Sequence, residues 1–134
     1  MAVWYVEGQR FERGFDYSEM NLKILAGVGV FAIGQALMWF QINSQFIWDW
    51  WRDKPFLAVL LYAIPTGLCW WYGSRLIVGE TDSLWSARFL GFSSSYFVFP
   101  VLTWYLANES MLTAKTLVCT GLAVMIMAIQ FFWR

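Results

Sequence analysis

The chain has no histidine and only two cysteines, Cys69 and Cys119, among its 134 residues. Without imidazole there is no His-ligated haem, chlorophyll or metal, and no Ser/His/Asp set. Two cysteines outside any CxxC pair make neither a zinc nor an iron–sulfur site. Both fall inside apolar runs and read as small hydrophobes rather than a disulfide. Charge is equally scarce, at 13%, against about 25% in an average globular domain. Nine basic residues balance nine acidic ones, which leaves no basic footprint for nucleic acid. Lys23, Lys54 and Lys115 all lie at the ends of apolar runs, so no buried Schiff-base lysine is expected. There is no P-loop, and Met1–Glu7 lack the positive and apolar regions of a cleavable signal peptide. The expectation is a protein that is not an enzyme and uses no cofactor, metal or nucleic acid.

What is abundant is apolar text. Hydrophobic residues make up 60% of the chain, where about 45–50% is usual. They form four runs, roughly Leu22–Ile42, Phe56–Val78, Leu84–Leu106 and Ala114–Trp133. About 20 apolar residues in a helix cross a bilayer, and each run reaches that length. The composition predicts an all-α membrane protein, a four-transmembrane-helix up-down bundle, since short connections favour antiparallel neighbours. Residues 22–134 form this domain, and residues 1–21, mixing charge, glycine and aromatics, read as an N-terminal interfacial tail. Ten tryptophans, many at run ends, suit an interfacial belt.

The connections carry their own signals. Asn43–Pro55 is the longest and holds Asp49, Arg52, Asp53 and Lys54 beside three tryptophans. Gly79 is expected to stop the second helix, and Ser110 or Thr113 to cap the fourth. Arg75 and Arg88 are expected to pair with Glu80 or Asp82. Arg10, Arg13, Lys23, Arg75, Arg88 and Arg134 fall on one side of the bundle, and Arg52, Lys54 and Lys115 on the other. Six against three points to a cytoplasmic or inner membrane with both termini in the cytoplasm. A shift of 65 residues superposes Leu25 on Leu90, Leu37 on Leu102, Trp39 on Trp104 and Asn43 on Asn108. The same shift places Leu57-Ala58-Val59 on Leu122-Ala123-Val124, a faint repeat of a two-helix unit or a coincidence of apolar text.

Few residues inside the runs carry chemistry. Gly27, Gly29 and Gly34 in the first run allow close helix packing, within the bundle or at a dimer seam. Gln35 is an amide in hydrocarbon and needs a polar partner or a wet cavity. Pro65 and Pro100 each remove a backbone bond and predict kinks. Ser93-Ser94-Ser95-Tyr96 is the most polar stretch within a run. Gln35, Trp39, Trp70, Tyr96 and Trp104 are the candidate residues for binding a solute, with Tyr96, Trp104 and Trp39 a possible aromatic cage.

The text from Phe99 to Leu117, with Glu109 ending the third run before a short loop, is followed by an apolar helix. It resembles the closing hairpin of the drug/metabolite transporter superfamily, over residues 93–132. Asn108 stands where that family often has glycine. Size and helix count are similar to its smallest branch, the small multidrug resistance proteins. The resemblance implies an oligomeric half-transporter. That branch carries a glutamate in its first helix, where this chain has Gln35 and no carboxylate. A glutamine cannot titrate, so the implied cargo is a neutral or zwitterionic solute rather than a cation exchanged for protons. The alternative is a non-catalytic accessory subunit of a larger membrane complex. Its partners are the lipid bilayer and either copies of itself or other subunits.

Overall fold

The computed structural model describes residues 17–133. Of the expected tail, residues 1–16 lie outside the described residues, and 17–21 already belong to the first helix. Four helices make up an all-α membrane bundle: α1 (Tyr17–Ile47), α2 (Pro55–Thr81), α3 (Leu84–Ala107) and α4 (Ala114–Phe132). All four are long and apolar enough to span a membrane. A single 3-10 turn at Asp49–Trp51 joins α1 to α2. At 31 residues, α1 is about 46 Å long at about 1.5 Å per residue. That exceeds a hydrocarbon layer of about 30 Å, so the helix carries its polar ends beyond the apolar run.

The helix ends follow local chemistry. Pro55 opens α2 at its first turn, where a missing N–H costs nothing. Gly79 does not stop that helix. It continues to Thr81, and Asp82 takes the left-handed conformation at φ 53°. Acidic and amide side chains tolerate that region through local hydrogen bonding. The Ser83 hydroxyl caps α3 by accepting from the Ser86 N–H at 3.2 Å. Asn108 closes α3 at φ 57°, in the conformation that glycine usually supplies. Of the two cap candidates for α4 it is Thr113 that accepts from the Thr116 N–H, at 3.2 Å.

α1 is central, packing on both α2 and α3, while α2 also touches α3, and α4 leans on α3. The α1–α2 contact is an antiparallel seam built on small residues. A Cβ added at Gly27 would sit 2.7 Å from the Ile77 side chain and 3.3 Å from the Gly73 carbonyl. One added at Gly73 would sit 2.8 Å from the Phe31 ring, and one at Gly34 3.0 Å from Cys69 Cβ. Glycine is required here because the backbones nearly touch. Gly29 does not share the seam. It is two residues from Gly27, hence on the opposite side of the helix, and nothing lies within 4 Å of its Cβ position. Around the seam Met20, Ile24, Phe31, Ile77, Ala87 and Leu90 form the core, with Met127 and Phe131 of α4 packed on it.

Candidate functional site: a polar seam between α1, α2 and α3

Gln35 is buried on α1, one residue past the glycine that admits α2. Its Nε2 donates to the Gly91 carbonyl of α3 at 3.0 Å. The same carbonyl accepts from the Ser94 hydroxyl at 2.6 Å. A carbonyl oxygen has two lone pairs, more than the single bond a helix asks of it, so this one can also fasten α1 to α3. One turn along α1, Trp39 is also buried, and its Nε1 donates to Thr103 Oγ1 at 2.9 Å. The amide and the indole are therefore both bonded to α3 rather than turned to an open cavity.

Trp70 of α2 wedges between these helices. Its ring stacks at a tilt on Phe31, with centroids 4.8 Å apart, and on Phe92 at 5.9 Å. The fit depends on Gly91, where an added Cβ would lie 2.7 Å from the indole. Trp70 Nε1 and the hydroxyl of Thr66, one turn earlier, are buried without a hydrogen-bond partner among the described residues. An unmet buried donor is costly, so these two atoms are where the seam still has capacity to bind a water or a polar ligand.

Tyr96 and Trp104 lie elsewhere. They are 48% and 52% exposed on the outer surface of α3, whereas Trp39 is 3% exposed. Of the five candidates, the fold buries Gln35 and Trp39 and brings Trp70, partly buried, against the same helices. Pro65 and Pro100 sit inside α2 and α3, which run on through them. Each proline leaves the carbonyl four residues earlier without its helical donor, that is Leu61 and Tyr96. Gly91, Thr66 and Thr103 belong to the seam and were not expected. The serine run beside Gly91 is the nearest sequence signal, and its Ser94 donates to the Gly91 carbonyl.

At the end where α1 begins and α2 finishes, Lys23 pairs with Glu80 at 3.0 Å. Glu80 is thus held by Lys23 rather than by Arg75 or Arg88. Arg75 lies over the Trp71 ring at 5.4 Å and Arg88 over Phe92 at 4.4 Å. Among the described residues no three His, Cys, Asp or Glu side chains gather as a metal site.

The fold and the seam define a class, a four-helix membrane bundle whose α1 and α3 are tied by polar bonds from Gln35 and Trp39, with α2 packed against α1 through glycines. No protein-family model, curated protein or solved structure matches the chain.

Proposed function

We propose that this chain is a non-catalytic packing subunit of a membrane assembly, with both termini on the cytoplasmic side. The observation that carries the reading is the use of the seam's polar groups. Gln35 and Trp39, the two deepest candidates for solute contact, are bonded to Gly91 and Thr103 of the same chain. Groups committed to holding helices are poorly suited to releasing a cargo, because breaking each bond strands a buried polar atom. A second observation agrees. The membrane-length window of α4 is only 6% buried within the chain, and Val118, Leu122 and Met125 are all more than half exposed on it.

The test is extraction of the tagged full-length chain from its own membrane into polymer-bounded nanodiscs, followed by native mass measurement. A fixed ratio of unrelated chains, lost when Val118, Leu122 and Met125 are changed together to alanine, supports the subunit reading. A discrete homodimer that keeps its mass in that variant overturns it.

The runner-up is a half-transporter of the drug/metabolite type for a neutral or zwitterionic solute. What favours it is the pair of buried, unpartnered atoms on α2, Trp70 Nε1 and Thr66 Oγ1. Solute-dependent protection of Trp70 fluorescence that disappears in Thr66→Val would support that reading over the first.

A further inference from the structure

An open groove of about 580 Å³ runs along the outer side of α2 to the start of α3. Its lining on α2 extends from Gly67 to Val78, with the indoles of Trp70 and Trp71 as walls and Leu84 of α3 closing one end. From Gly67 to Val78 the helix rises roughly 16 Å at about 1.5 Å per residue. One leaflet of hydrocarbon is about 15 Å deep, half of about 30 Å. Arg75 lines the groove near its Leu84 end. Lys23 and Glu80, paired to each other, mark the polar level just beyond it. Arg75 rests on Trp71 and has no carboxylate partner among the described residues.

The geometry points to a phospholipid site, with one acyl chain lying in the Gly67–Val78 groove and the lipid phosphate held by the Arg75 guanidinium. Three features suit that occupant. The groove has the length of one leaflet and opens sideways, so a chain enters it from the bilayer without crossing water. Its walls are indole faces, which offer broad apolar contact with a polar tip at the interface. Arg75, the cation among the groove's lining residues, sits toward the headgroup end, and a guanidinium matches phosphate oxygens two at a time. Gly67 widens the deep end, where nothing lies within 4 Å of its Cβ position. Glu80 does not oppose the phosphate, because Lys23 already neutralises it.

The full-length chain is placed in phosphatidylcholine nanodiscs containing a phosphatidylglycerol with a photoreactive group on its acyl chain. Crosslinks are mapped by peptide mass spectrometry. They are expected to concentrate on the α2 segment holding Trp70 and Trp71. Arg75→Gln is expected to lower that yield about fivefold, the loss of one charge-assisted contact. Gly67→Trp fills open space, so it is expected to abolish the α2 crosslinks while the unfolding midpoint stays unchanged. Crosslinks spread evenly over α2 and the exposed face of α4 and unaffected by either variant would mean ordinary boundary lipid, and would overturn the site. Capture of another protein chain in place of lipid at Trp70 and Trp71 would overturn it as well.

Discussion

The two hairpins of the chain, α1–α2 and α3–α4, differ in packing. Under the 65-residue shift, Trp39 of α1 corresponds to Trp104 of α3, yet the first is 3% exposed and the second 52%. The reason lies in the neighbours. Gly27 and Gly34, which let α2 approach α1, correspond to Phe92 and Phe99. Those two positions offer no glycine gap, Phe92 turns to Trp70 of α2, and the Cβ position of Gly121 in α4 has nothing within 4 Å. Only Ala123 of α4 is buried, whereas α2 buries Ala58, Thr66, Gly73 and Ile77. In lipid, where helix association rests on close packing rather than on a hydrophobic driving force, two glycines decide which hairpin is tight.

The strongest way to break this contrast is to put bulk into the tight half. Gly73→Leu drives a side chain into the Phe31 ring and the Gly27 carbonyl, neither of which has room to yield. It is expected to destabilise the bundle by about 3 kcal/mol, the upper part of the overpacking range. At Gly121 in α4 an added Cβ meets nothing within 4 Å, and Gly121→Leu is expected to leave stability unchanged. Unfolding in mixed micelles with a denaturing detergent measures both. Equal losses would end the distinction between the hairpins.

Next in size is the polar tie between α1 and α3. Gln35→Leu removes the Nε2 bond to Gly91 while keeping most of the volume. Interhelical hydrogen bonds in membranes are worth about 0.6 to 2 kcal/mol, and a loss of about 1 kcal/mol is expected. The Gly91 carbonyl keeps its bond from Ser94, which limits the damage. Trp39→Phe is expected to cost a similar amount, and the two changes together should add. They join different residues of α3, so their bonds share no partner.

The number and placement of the helices were legible because apolar length alone reports a span. The inward faces were not. In a soluble helix the apolar stripe marks the core, but in lipid both faces are apolar and the stripe vanishes. Small residues are the signal that survives. They point to Gly27 and Gly34, which lie on the α1–α2 contact. Gly29 shows the limit, since composition without the 100° turn per residue counts all three alike. Gly73 and Gly91 went unnoticed because each needs a ring on another helix, Phe31 or Trp70, to give it meaning. Tyr96 and Trp104 were grouped with Trp39 by proximity to polar text, and only tertiary packing separates them. The end of α2 was placed early at Gly79 because glycine is the usual stop, whereas Asp82 takes that conformation here.

A smaller effect is expected at the polar rim. Lys23 and Glu80 sit 3.0 Å apart with side chains 43% and 23% exposed. Solvent screens such a pair, so Glu80→Gln is expected to cost about 0.5 kcal/mol. The cost should shrink further in high salt, as screening shortens the range of the interaction. Unfolding at two ionic strengths checks this, and a salt-independent loss above that of Gln35→Leu would show the rim rather than the seam to be the main tie.

The smallest expected effect is on α4, and it separates the chain alone from the chain in its assembly. Leu122 is 54% exposed, so Leu122→Ala deletes atoms that touch little of this protein. In the isolated chain its cost should stay within about 0.5 kcal/mol, as at other exposed sites. If another subunit covers α4, the same deletion removes buried contacts, and the cost should rise toward the roughly 2 to 5 kcal/mol of a packed leucine. The measurement is one variant in two settings, purified bundle and native nanodisc. A cost that stays small in both would mean that lipid, not protein, covers α4, since hydrocarbon tails replace a deleted side chain readily. The looser hairpin would then be loose in the membrane too, and the subunit reading would lose its surface.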